Sequence, residues 1–200
     1  MTIEQIKELS KEIHEGNAKR GFWDDERSLS EVLILIRTEM SEAVESDRKG
    51  IRFNLPFNKE DERITRQELY KYRTIDNEEF NPIHFKTYVK DTVEDELADV
   101  IIRILDLPSS PVKEVDWVKF FSYYNYWDSK KISIPFSIYS LAEWFNYYMP
   151  YSFDYDIEQL SHSLVFVLNY CKGNNIDIWW HVREKLKYNA TRPYKHGKKY

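Results

Sequence analysis

The chain is poor in cysteine and glycine and has no long apolar run, and each shortage removes a class of function. Cys171 is its only cysteine, so neither a disulfide framework nor a cysteine-rich zinc site can be assembled. The five glycines, at positions 16, 21, 50, 173 and 197, are too dispersed for a GxxxxGK phosphate loop or a GxGxxG dinucleotide turn. No apolar stretch approaches the ~18 residues of a membrane-spanning helix, and the charged opening MTIEQIKELSKEIHEG is unlike a secretory signal. The expectation is a reduced, soluble, cytoplasmic protein with no membrane partner. Excess charge is also small. With 34 acidic against 29 basic residues the net charge is −5, which argues against a dedicated nucleic-acid binder. Aromatic residues are what the chain has in plenty, and 14 of them fall between Trp117 and Tyr151. They read as added core or subunit interface, where Tyr and Trp are enriched, or as a lid over a ligand.

Apolar periodicity predicts helices throughout, and the expected fold class is all-α, a helical bundle formed by residues 1–200 as a single domain. Ile3, Ile6, Leu9 and Ile13 mark a first helix over 2–19. Ser28 and Glu31 form an S-x-x-E capping box at the head of a second, which runs to about Arg48. Residues 51–86 are weakly patterned and read as a polar insertion with one short helix near 60–72. A third long helix is expected from Thr87 to Leu107, stopped by Pro108 and Pro111. Residues 108–151 form an aromatic-rich insertion, in which Ile132 and Ile134 alternate like a short strand. Further helices are expected at about 135–149, 155–172 and 176–190.

Two of these helices carry carboxylates beside strong apolar stripes. Glu39 and Glu42 are three residues apart on the second helix, hence on one face, and Glu96 and Asp99 repeat that spacing on the third, with Arg103 and Asp106 continuing the face. Solvated charges on amphipathic helices would read the same way. If the pairs face each other inside a bundle, however, burying like charges requires a cation. Hard oxygen donors without His or Cys suit Mg²⁺ or Mn²⁺. A di-iron bundle would need E-x-x-H on two helices, and no glutamate here has a histidine three residues on.

The pattern E39-M-S-E42 followed by E96-L-A-D99 resembles the ExxE…ExxD signature of the MazG-like, all-α nucleoside triphosphate pyrophosphatases, which include MazG, the dimeric dUTPases and the dCTP pyrophosphatases. The resemblance extends upstream to N17-A-K-R-G-F-W23-D and downstream to K185-L-K-Y-N189-A-T-R192-P-Y-K-H-G197-K198, similar to the family's K-xxx-N-xx-R tail. The 53 residues between Glu42 and Glu96 and the aromatic block lie outside it.

What the resemblance implies is a bundle that forms a homodimer or a dimer of dimers. It would bind Mg²⁺ through Glu39, Glu42, Glu96 and Asp99, and hydrolyse an NTP or dNTP to the monophosphate and pyrophosphate. One glutamate, Glu39 or Glu42, would take the proton of the attacking water. The alternative is a nucleotide-binding or partner-binding protein on the same fold without catalysis. Lys185, Asn189 and Arg192, with Lys198 further along, would serve the triphosphate. Residues 181–200 carry a net +6 against −11 for the rest of the chain, which also describes a solvated basic tail. Trp23 would stack on the base, as every base offers a π face, or plug the end of the bundle. Asn17 would read a base edge or cap its helix. Asp106 stands where the family often has an Asn on the metal-bearing helix.

Overall fold

The computed structural model describes residues 1–58, 61–75, 80–110, 116–129, 137–149 and 157–197. They are mostly helical, with one two-stranded antiparallel hairpin, β1 (Pro56–Asn58) and β2 (Asp61–Thr65). The first two helices match the sequence patterns. In α1 (Ile3–Lys19) Thr2 and Gln5 cap each other reciprocally, and in α2 (Leu29–Arg48) Ser28 and Glu31 do the same. Each box satisfies two of the four amides that a helix start leaves without partners.

The long helix expected over 87–107 is divided. A short α4 (Pro82–Tyr88) starts where the Asn81 side chain accepts from the Ile83 and His84 amides and Pro82 fills the first turn. The chain then turns through Asp91 at φ 63°, in the left-handed region that Asp tolerates better than most residues. Thr92 caps α5 (Val93–Asp106) through the Asp95 amide at 3.2 Å. The continuous apolar stripe concealed this break, because Val89 and Val93 are buried on both sides of it. They belong to different clusters, however: Val93 to the main core, Val89 to a smaller aromatic one.

α5 is the hub. It packs against α1, α2, α8 (Ile157–Gly173) and α9 (Ile178–Ala190), and it is buried over most of its circumference. A helix so enclosed is expected to be apolar all round, which makes its acidic first turn an anomaly. Its neighbours supply the main core through Ile6, Ile13, Ile36, Met40, Leu164 and Val182.

The insertion over 51–86 is more ordered than its polar composition suggests. It holds the hairpin, α3 (Arg66–Ile75) and α4, and the helix comes later than the expected 60–72. Phe53, Tyr70, Phe85 and Tyr88 form a second buried cluster on α9, with Phe85 stacked on Tyr188 at 4.7 Å and Phe53 on Trp180 at 5.3 Å. The insertion thereby fixes α9 against α5.

Part of the aromatic block is core. In α6 (Trp117–Ser129) Phe120 and Phe121 are buried, and α7 (Ile138–Tyr148), capped by Ser137, buries Leu141 and Phe145. Tyr139, Trp144 and Tyr147 of α7 stay exposed. The expected strand at Ile132 and Ile134 lies outside the described residues. No helix among the described residues is long and apolar enough to cross a membrane.

Candidate functional site

The crossing of α2 and α5 brings three of the four expected carboxylates together. One oxygen from each of Glu39, Glu96 and Asp99 lies within 4.8 Å of the other two, and Glu39 and Glu96 are buried. Glu42, one turn further along α2, is exposed, but its negative charge still raises the pKa of both Glu39 and Glu96. Burial, then the charge of Asp99, pushes the Glu96 carboxyl up to about 9. Glu39 is also raised, by burial and then Asp99, although the Arg103 guanidinium bonded to it pulls the other way. This electrostatic state fits a divalent cation. Three hard oxygen donors converge, and burial beside Asp99 leaves one of them protonated at neutral pH even with Lys185 nearby.

Lys185 was expected to meet phosphate. Instead its ammonium is buried among the carboxylates, with Nζ 2.7 Å from both Asp95 Oδ2 and Asp99 Oδ2. Burial alone would lower its pKa, but Asp99, Asp95 and Glu96 outweigh that and raise it. Asp95, which sequence reading passed over, is 1% exposed and is lifted to about 6, chiefly by burial. Its Oδ1 has no hydrogen-bond partner among the described residues. The available signal was its position four residues before Asp99, on the same face of α5.

Asn189 follows Lys185 by four residues on the same buried face of α9, but Arg192 does not continue it. α9 ends at Ala190 with Thr191 as its cap, so Arg192 lies past the helix. Its guanidinium sits 5.8 Å from the Tyr188 ring. Asn189 is buried, with Oδ1 unpartnered among the described residues. Lys198 lies outside the described residues.

Asp106 gathers a second group at the other end of the α5 face. Its carboxylate accepts from Asn17 Nδ2 at 2.8 Å and from Trp23 Nε1 at 3.2 Å to each oxygen, and it bonds His14 Nδ1 at 2.9 Å. Trp23 packs on the core and lies tilted against His14, with ring centroids 5.3 Å apart. Three expected residues, Asn17, Trp23 and Asp106, thus share one hydrogen-bonded cluster. His14 was missed, although it stands three residues before Asn17 on one face of α1. Asn17 does not cap α1, since Arg20 is the capping residue.

The connector that carries Trp23 is clasped by the chain's last described segment. Gly21 has φ 82°, and the Tyr194 ring covers the side where a Cβ would project. Tyr194 donates to Asp24, Lys195 pairs with Asp25, and the Lys195 amide donates to the Arg20 carbonyl at 2.8 Å.

Compared with known proteins, the chain matches no family model, no curated protein and no solved structure.

Proposed function

We propose that this chain is a divalent-metal-dependent nucleotide pyrophosphohydrolase that converts an NTP or dNTP to the monophosphate and pyrophosphate. The observation that carries this reading is the convergence of Glu39, Glu96 and Asp99 between two packed helices, with oxygens within 4.8 Å. These three residues would hold Mg²⁺ or Mn²⁺. Such an ion supplies charge to phosphoryl oxygens and makes a bound water more acidic. Of Glu39 and Glu42, the latter, close enough to act on the cluster's charge yet open to solvent, would take the proton of the attacking water. Lys185 would hold Asp99 in orientation through its 2.7 Å contact. Phosphoryl transfer asks mainly for such positioning and charge stabilisation. At the far end of the α5 face, the Asp106 cluster fixes the Trp23 ring, a π surface suited to a nucleobase.

A second reading has its own observation. Arg103 and Lys185 already neutralise Glu39 and Asp99, as they would in a non-catalytic nucleotide-binding or partner-binding protein. One screen separates the two. Common NTPs and dNTPs are incubated with Mg²⁺ and pyrophosphate release is scored. Release from at least one substrate is expected, and its loss in Glu39→Gln with an unchanged circular dichroism spectrum. No release from any nucleotide would remove the hydrolase reading.

A further inference from the structure

Arg27 is a half-buried guanidinium whose donors are unspent. Among the described residues it makes no hydrogen bond or ion pair, and it lies 5.9 Å from the ring centroids of both Phe22 and Trp23. Close by on α5 is a second guanidinium, Arg103, whose Nε donates to Glu39. The two cations sense each other. Burial, and then Arg103, lowers the Arg27 pKa, while Asp106, Glu31 and Asp25 raise it; these carboxylates are themselves bonded to the Trp23 cluster, to Ser28 and to Lys195. Arg20 repeats the pattern. Burial lowers its pKa, Asp106 raises it and Arg192 lowers it, and its Nε is buried without a partner. Arg20 and Arg27 thus share the field of one carboxylate, and that carboxylate already serves His14, Asn17 and Trp23. Like charges withdrawn from water with their counter-ion otherwise engaged call for an external anion.

The layout along α5 gives that anion a place. Glu96, Asp99, Arg103 and Asp106 follow one another on one face, a span of about 15 Å at 1.5 Å per residue. The carboxylates occupy one end and the Trp23 cluster the other, with Arg103 between them and Arg27 beside the Trp23 ring. Guanidinium forks match phosphate oxygens two at a time, and an oligophosphate presents several such oxygens in a row. We propose that Arg27 and Arg103 form an oligophosphate-binding subsite between the carboxylate cluster and the Trp23 ring, and that Arg103 reaches it by leaving Glu39 when a divalent cation takes that carboxylate. This deepens the hydrolase reading and rests on it for the order of the parts along the helix. It also exchanges the tail residues for Arg27 and Arg103 as the groups that meet phosphate.

Isothermal titration of the full chain with sodium tripolyphosphate, in the presence of Mn²⁺, tests the subsite without hydrolysis. Losing one charge-assisted contact should weaken binding by about tenfold or more in each of Arg27→Gln and Arg103→Gln. Arg48→Gln, whose arginine pairs with Glu45 at the far end of α2, should bind as the wild type does. Mn²⁺ titrated alone should bind Arg103→Gln at least as tightly as wild type, because Glu39 is released. A structural defect would weaken both ligands together. Arg27 lies on the half-exposed connector, so its variant remains informative if Arg103→Gln folds poorly. Equal tripolyphosphate affinity in Arg27→Gln and wild type, or no binding by wild type, overturns the subsite. Arginine-dependent tripolyphosphate binding without hydrolysis of any nucleotide keeps the subsite and removes the hydrolase. Hydrolysis with unchanged KM in both variants does the reverse.

Discussion

Replacing Glu96 by glutamine should make the metal-free protein more stable and the metal-loaded protein less so. Glu96 is 5% exposed, and its pKa is pushed from 4.5 to about 9, first by burial and then by the charge of Asp99. A carboxyl whose pKa is higher in the folded state binds its proton more tightly there. Its contribution is intact below pH 4.5 and is lost progressively as pH rises through 9. At pH 7 the unfolded chain gains by ionising this group over 2.5 pH units, and at about 1.4 kcal/mol per unit the upper bound is about 3 kcal/mol. Glutamine removes that penalty while keeping the shape. A gain of roughly 1–3 kcal/mol corresponds to a Tm about 3–9 °C higher for a chain of this size.

Urea unfolding followed by circular dichroism, with EDTA, at pH 4.5, 7 and 8.5 gives the decisive pattern. The two proteins should be equally stable at the lowest pH, and the variant should pull ahead as pH rises. Saturating Mn²⁺ should reverse the order, because an ion at a hundred times its Kd adds about 2.7 kcal/mol to the protein that binds it. A variant no more stable than wild type at pH 8.5 in EDTA, with both proteins stabilised equally by Mn²⁺, would refute both the buried charge and the site.

Lys185→Met strands Asp95 without its cation and should cost about 3–5 kcal/mol at pH 7. Without Lys185, which holds the Asp95 pKa down to about 6 in the wild type, the carboxyl protonates at a higher pH, so the loss should shrink as pH falls toward 6, and Asp95→Asn in the same chain should recover part of it. Gly21→Ala forces a Cβ into a φ of 82° against the Tyr194 ring. It should cost about 1–2 kcal/mol and speed hydrogen exchange at the Lys195 amide, which now donates to Arg20. Exchange unchanged at that amide would show that the clasp does not depend on Gly21. Ile34 of α2 and Tyr139, Trp144 and Tyr147 of α7 leave apolar surface exposed on two packed helices. Light scattering should report at least a dimer at micromolar concentration, and Tyr147→Glu should shift it toward monomer; a wild-type monomer would count against self-association through this face.

Local chemistry made most of the helices legible. Capping boxes at Thr2 and Ser28 and the turn after Cys171 are determined within a few residues of chain, and the elements they bound sit where periodicity placed them. The break at Asp91 was hidden because an apolar stripe reports burial and says nothing of which neighbour does the burying. Val89 packs with the Phe85 cluster and Val93 in the main core, so two short helices imitate one long one. The insertion was misread for a related reason. Its composition is polar, but Phe53, Tyr70 and Phe85 suffice to seat it on Trp180 and Tyr188, residues more than a hundred positions away.

The site was legible as a set of residue types and partly illegible as a set of partnerships. Spacing placed Glu39 with Glu42 and Glu96 with Asp99, but only the angle between α2 and α5 decides that Glu39 turns in while Glu42 faces water. The basic residues show the limit most clearly. A cation three or four residues from another looks like part of a phosphate-binding face whether its counter-ion is a ligand or a buried aspartate. Lys185 has its counter-ions inside the protein, two carboxylate oxygens at 2.7 Å, and so has no charge to spare. Arg27, drawn from an unremarkable connector, makes no hydrogen bond or ion pair among the described residues. Which cation awaits a ligand is a question of what remains unpaired after folding, and that follows from the tertiary packing of α5 against α2 and α9 more than from the order of residues along any one helix.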